Sequence, residues 1–145
     1  MAARFPFAKY FNEIRLLAAL QVPPDEKPYW DGPPTNPEQQ DLLLYLGCNV
    51  LRTAHLAKTA IQVLKAMGLT FNAVGGPAYC CGIVYYNNHE RKAARNYSRN
   101  SMRHFGAHGA RHVIMWCPSC NEHFDDVVAK EGGWMRLHLP GLRSV

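Results

Sequence analysis

No run of this 145-residue chain approaches the roughly 20 consecutive apolar residues that a membrane span requires. A secretory signal is also lacking: the apolar stretch Leu16 to Val22 is short, and Glu13 and Arg15 stand just before it. Acid is scarce, with 11 Asp and Glu against 16 Lys and Arg and a net charge of +5. That balance permits an acidic partner, but no nucleic-acid-binding motif accompanies it, so no nucleic-acid role is expected. Cysteine is absent everywhere except in one spaced pattern of five residues. An odd count with an adjacent Cys80-Cys81 pair does not suit a secreted disulfide framework. With 48% apolar residues the chain can bury a core without staples. A soluble, cytoplasmic protein is expected, its thiols serving metals or redox chemistry.

The order of patterns along the chain predicts α/β architecture. Residues 5–20 read as a short amphipathic helix, with Phe7, Tyr10, Phe11, Ile14 and Leu17 at helical spacing. Six prolines between Pro23 and Pro37 then exclude helix and central strand, leaving a linker or strap that Tyr29 and Trp30 would pin to the surface. Residues 1–40 are therefore read as an N-terminal helix and Pro-rich linker, and 41–145 as the main domain. Within it, Leu42 to Leu46, Thr70 to Val74 and His112 to Trp116 read as strands. Helices are expected from a Thr53 cap to Met67, from Asn88 to Phe105, and from Pro118 to Lys130. For the first of these, Leu56, Ala60, Val63, Leu64 and Met67 mark the apolar face. Alternation of this kind implies a small three-layer, Rossmann-like domain with a parallel sheet and right-handed crossovers.

The cysteines acquire meaning from that order. Their pattern is C-x31-C-C-x35-C-P-S-C, with Gly82 following the pair, and Cys48, Cys80-Cys81 and Cys117-Cys120 each follow a strand. In an open parallel sheet the carboxyl ends of the strands share one edge, where ligands bind. Cys117 and Cys120 also fall at a helix N-terminus, which favours thiolate over thiol. A Cys-x-x-Cys run lets two sulfurs chelate one centre. A thioredoxin-like reading explains neither the adjacent pair nor Cys48. A structural zinc site takes four ligands and leaves one cysteine idle; an iron–sulfur cluster ordinarily takes four as well. Zinc stays open, but the fifth thiol favours an unusual cluster. A metal-free thiol redox sensor is a third possibility.

With its flanking Leu46-Gly47-Cys48-Asn49, Gly76-Pro77 and Trp116-Cys117-Pro118, this pattern resembles the CCG (cysteine-rich) domain over roughly residues 41–125. Such domains occur in the cysteine-rich subunit of heterodisulfide reductase and in iron–sulfur subunits of succinate, glycolate and lactate oxidoreductases. The resemblance implies a noncubane [4Fe-4S] cluster held by Cys48, Cys80, Cys81, Cys117 and Cys120, one of them bridging two irons. It also implies reduction of a disulfide, and some copies of the motif are associated with zinc instead. Where many relatives carry two such domains, this chain has one, which suggests a half-length version. A ferredoxin-type C-x2-C-x2-C-x3-C run is missing too. Expected partners are thus ferredoxin-type or flavin subunits that supply electrons, a second such domain or a second copy of the chain, and a small thiol or disulfide.

Several other residues stand out. Arg91, Arg95, Arg99 and Arg103 repeat every fourth residue with Lys92 alongside, either an ordinary solvated face or a docking face for an acidic carrier or anionic thiol. Among seven histidines, His55 is the best candidate for a hydrogen bond or proton to the site, and His123 lies three residues past Cys120. His89, His104, His108 and His112 show no ligand spacing with the cysteines. Tyr79, Tyr85 and Tyr86 bracket the pair and are expected to wall the site. Backbone N–H groups near Gly47, Gly76 and Gly82 are candidates to bond sulfur.

Overall fold

The computed structural model describes residues 5–23 and 38–128. The strap anchors Tyr29 and Trp30, most of the proline-rich stretch, and the end of the last expected helix, including Lys130, lie outside the described residues. In chain order the elements are α1 (Phe7–Gln21), β1 (Leu42–Gly47), α2 (Ala54–Ala66), β2 (Asn72–Gly75), α3 (Ile83–Asn87), α4 (Arg91–Ala107), β3 (His112–Met115) and α5 (Pro118–Glu122). Two short 3-10 turns, Asn49–Thr53 and Pro77–Tyr79, follow β1 and β2, and a π-helical turn, His123–Val128, continues α5.

The three strands are parallel in the order β2-β1-β3. β1 is apolar throughout because it is central and covered on both faces. Its side chains alternate between two cores. Leu43 and Tyr45 join Val74, Val113, Phe105 of α4 and Phe124. Leu44 and Leu46 join Ala73 and Ala57 of α2. A third core lies beside the sheet, where Phe11, Ile14 and Ala18 of α1 meet Leu51, Ala54, Cys48 and Cys80. The expected three-layer α/β domain with a parallel sheet is the observed one.

Details differ from the sequence expectation for identifiable reasons. Instead of capping, the Thr53 hydroxyl donates back to the Val50 carbonyl at 3.1 Å, and Asn49–Thr53 forms the 3-10 turn. The face α2 turns inward is Ala54, Ala57, Ile61 and Leu64. Leu56, Val63 and Met67 are exposed, because they lie off the face on which Ala57, Ile61 and Leu64 pack against the sheet. The polar helix expected from Asn88 begins at Arg91, since His89 takes a left-handed φ of 63° and separates it from α3. The last expected helix is α-helical only over Pro118–Glu122 before it widens.

α4 is fastened to the loop carrying the cysteine pair. The buried Ser98 hydroxyl lies 2.6 Å from the Cys81 carbonyl and 3.0 Å from the Ala94 carbonyl. Ser101 donates to the Cys80 carbonyl at 2.8 Å. Two loop carbonyls that burial would otherwise leave unsatisfied are thereby paired. A second buried polar group supports the opposite end of the sheet. Asn72 donates to the Glu38 carbonyl at 2.6 Å and lies 3.1 Å from His108 Nδ1, whose Nε2 is 3.4 Å from the Tyr79 hydroxyl.

Candidate metal centre

All three cysteine groups reach one edge of the sheet, as the strand order requires. Cys48 follows β1 directly, Cys80-Cys81 follows the turn after β2, and Cys117 precedes α5 at the end of β3. The five sulfurs form one connected group. Cys48 Sγ and Cys80 Sγ are 3.6 Å apart. Electrostatic interaction further links Cys80 with Cys81, Cys81 with Cys120, and Cys120 with Cys117. Cys48, Cys80, Cys81 and Cys120 are buried, and Cys117 alone is half-exposed. All five are free thiols.

Close backbone approach makes this packing possible. At Gly47, a Cβ would lie 3.1 Å from both Cys117 Cβ and Cys120 Sγ, so a side chain there would push the Cys-Pro-Ser-Cys turn away from Cys48. Gly82 donates its N–H to Cys80 Sγ at 3.4 Å. The Gly76 N–H goes instead to the Gly47 carbonyl at 2.9 Å, tying the two loops together. Of the three glycines expected to present N–H groups to sulfur, Gly82 does so in this geometry.

The protons of the five thiols are unequally held. Hydrogen bonds from Cys120 and Cys80, helped by the Ile83 N–H and His123, pull Cys81 well down. Cys117 falls to about 7, mainly through the Cys120 thiol and the backbone N–H groups of Cys120 and Ser119 at the start of α5. Cys80 moves up through its interactions with the Cys48 and Cys81 sulfurs and through burial. Cys120 moves up for the same kind of reason, toward Cys117 and Cys81. The helix N-terminus thus favours thiolate at Cys117 but not at Cys120. Five sulfurs this close cannot all ionise unless a cation replaces the shared protons.

The donor set suits such a cation. Thiolates are ligands for zinc, copper(I) and iron–sulfur centres. With metal–sulfur bonds of about 2.3 Å, two ligands on one tetrahedral centre stand ~3.8 Å apart, close to the Cys48–Cys80 separation of 3.6 Å. No group of three or more His, Cys, Asp or Glu side chains among the described residues is arranged to hold a single metal ion.

The aromatic surroundings were partly legible. Tyr85 stacks between Phe7 and Tyr97, with ring centroids 4.2 and 4.5 Å away, and Tyr86 stands edge-on to His123 at 5.5 Å. Tyr79 is fully buried, its hydroxyl turned toward His108. His55 is not brought to the cysteines: it is exposed on α2, and its Nδ1 pairs with Gln21 Oε1 of α1 at 2.7 Å. His123 is buried instead, with Nε2 3.4 Å from Ser98 Oγ. Two residues escaped the sequence reading. Tyr45 looked like an ordinary strand residue, yet its hydroxyl donates to the Tyr79 carbonyl at 2.6 Å and lies 3.9 Å from Cys120 Sγ. Tyr10 reaches Asn49 at 3.3 Å, and burial, then the nearby Cys48, push it up to about 12. Both sit at positions that periodicity assigns to packing, so no local signal marks them.

Comparison with known proteins agrees with this geometry. Residues 42–125 match the family described as CCG, Cysteine-rich domain, which spans more than half of the chain and all five cysteines. No curated protein and no solved structure matches the chain. The match takes in all five thiols of the site, and the chain belongs to the CCG cysteine-rich domain family.

Proposed function

We propose that Cys48, Cys80, Cys81, Cys117 and Cys120 together hold a noncubane [4Fe-4S] cluster, and that the chain is a redox subunit of heterodisulfide-reductase type. The observation that carries this reading is the single connected group of five sulfurs, one more than a tetrahedral zinc site accepts. When bound, such a cluster supplies one-electron chemistry toward the sulfur–sulfur bond of a disulfide.

The chain's own residues define how a small thiol or disulfide would meet the site. Cys117 is half-exposed, and its neighbour Trp116 is 44% exposed, so access is from the end of β3. α1, with Phe11 and Ile14 buried, and the Phe7–Tyr85–Tyr97 stack close the side nearest Cys48 and Cys80 and exclude water from them. The Gly82 N–H is the donor placed to bond ligand sulfur, which raises the reduction potential of a thiolate-held centre. Electrons come from a separate ferredoxin-type or flavin subunit, and cleavage of a disulfide requires a second such domain or a second copy of this chain.

Anaerobic purification followed by iron, acid-labile sulfide and zinc analysis, with EPR on the oxidised and reduced protein, tests the reading. About four irons and four sulfides per chain, lost together with visible absorbance on Cys80→Ser, are expected. Stoichiometric zinc without iron or sulfide, in protein handled without oxygen, overturns it in favour of a zinc-holding structural or assembly module.

A further inference from the structure

α4 has two different sides. Inward it presents Ala94, Ser98, Ser101, Met102 and Phe105, all buried, and Ser98 and Ser101 hold the Cys81 and Cys80 carbonyls. Outward it presents Arg91, Lys92, Arg95, Arg99 and Arg103, all exposed, and the helix contains no Asp or Glu. At 3.6 residues per turn these five cations fall within a sector of about 120°. Like charges at i,i+4 repel, so the stripe costs the isolated helix stability. Among the described residues no carboxylate is ion-paired to Lys92, Arg95 or Arg103. Asn96, Tyr97 and Asn100 extend the same surface into a groove shared with Arg99 and Arg103.

The N-terminal end of the stripe leads to the cysteines. The Arg91 guanidinium lies 4.9 Å from the centroid of the half-buried Tyr86 ring. Tyr86 meets buried His123, whose Nε2 contacts Ser98, and Ser98 bonds to Cys81. At Gly82 the loop is pressed so closely on α4 that a Cβ would lie 2.4 Å from the Ala94 carbonyl oxygen. The cationic surface and the cysteine pair are therefore separated by roughly one helix diameter, about 10 Å.

We propose that the cationic side of α4, from Arg91 to Arg103, is the docking surface for an acidic electron-donor protein. The inference rests on the redox reading above and adds to it the surface and its charge. On docking, the donor's reduced centre is oxidised by one electron and the cysteine-held centre is reduced by one; no covalent bond forms or breaks. Complementary charge acts on encounter and orientation, which are the steps a transient redox partner needs.

A fluorescently labelled plant-type ferredoxin, a small acidic protein, serves as the probe, titrated against the anaerobically purified chain. Affinity should fall more than tenfold as salt rises from about 0.01 to about 0.15 M, over which the Debye length shortens from about 30 to about 8 Å. Arg95→Glu with Arg103→Glu should weaken binding at least tenfold at low salt. Lys58→Glu with Lys65→Glu on α2 should change it less than twofold. In stopped flow, reduction by ferredoxin should slow at least tenfold in the α4 variant, while reduction by photoreduced deazariboflavin, which is uncharged, is unaffected. Binding indifferent to salt and to the α4 reversal overturns the proposal, as does an equal loss in the α2 control. Tighter binding to a mixed-sequence DNA duplex than to ferredoxin at the same salt also overturns it. The metal content is measured separately: a zinc-bound chain that still shows the α4-dependent, salt-dependent binding removes the redox reading and leaves the acidic-protein surface standing.

Discussion

Gly82→Ala is expected to destabilise the protein by two separable effects. Gly82 has φ +96°, and a Cβ there would lie 2.4 Å from the Ala94 carbonyl oxygen and 3.0 Å from its carbon. The left-handed backbone costs an alanine roughly 1–2 kcal/mol. Contact with helix backbone, which cannot rotate away as a side chain can, adds about 1–3 kcal/mol of overpacking. For a chain of this length the unfolding entropy is about 0.3 kcal/mol/K, so a middle value of about 3 kcal/mol lowers Tm by roughly 10 °C. Two other glycines separate the contributions. Gly68 has φ +80° with nothing within 4 Å of a built Cβ, so Gly68→Ala should show the backbone cost alone, about 1 kcal/mol. Gly106, inside α4 with open space around it, should gain about 0.5–1 kcal/mol as alanine. Thermal unfolding by circular dichroism at fixed pH reads all three. If Gly82→Ala melts within 2 °C of Gly68→Ala, the close seating of α4 on the cysteine loop is wrong.

Tyr45→Phe removes the hydroxyl from the Tyr79 carbonyl and leaves a buried acceptor unpaired, a loss of about 1–3 kcal/mol measurable by denaturant unfolding. A loss below about 0.3 kcal/mol would mean the bond is absent in solution. Stability should also fall on acidification because of His108, whose proton affinity is lowered by burial first and by His104 second. The unfolded imidazole titrates near 6.5, above the folded one, so the unfolded state binds the extra proton between those values. The stabilising contribution is complete above pH ~6.5 and is lost as pH drops toward the folded value. His108→Gln should flatten the melting temperature against pH between 5 and 7.5, and an unchanged slope refutes the assignment. Removal of the proposed centre with a chelator under reducing conditions should speed hydrogen exchange in α1 and in residues 118–125 more than in Leu43–Leu46. Those two segments pack on cysteines, while β1 is held by both neighbouring strands. Uniform acceleration across all three would contradict that placement.

The parts of this fold legible in the sequence are those in which one physical signal acts alone. β1 was recoverable because a strand covered on both faces is continuously apolar. The cysteine edge was recoverable because each group follows a strand, and parallel order leaves the carboxyl ends together. α2 was placed correctly but rotated: Leu64 faces inward as expected, while Leu56, Val63 and Met67 are exposed and contact with the sheet is made by Ala57, Ile61 and Leu64. His55 looked close to Cys48 in sequence, yet the 3-10 turn at Asn49–Thr53 carries it outward to Gln21. His123 was marked by its place three residues past Cys120 and packs against Ser98, whereas Tyr45 comes near Cys120 through tertiary packing from a position with no local mark.

The site lies where separate cores meet, and this gives the cysteines a structural consequence beyond ligation. Cys81 and Cys120 belong to the core that includes Tyr45, Phe105 and Phe124, whereas Cys48 and Cys80 belong to the one formed with α1. Cys80 and Cys81 are adjacent, so their shared backbone joins the two cores, and Ser98 and Ser101 fix that backbone by its carbonyls. A centre bound by all five sulfurs would bind folded chain far better than unfolded chain, and its binding free energy would appear as stability. α4 connects the two roles. Its buried serines hold the pair in place, and its exposed arginines lie on the other side of the same turns. Any displacement of the Cys80-Cys81 backbone must therefore move α4 or break its serine bonds. Docking on the cationic side and occupancy of the cysteine site are consequently expected to influence each other, reciprocally and through this one helix.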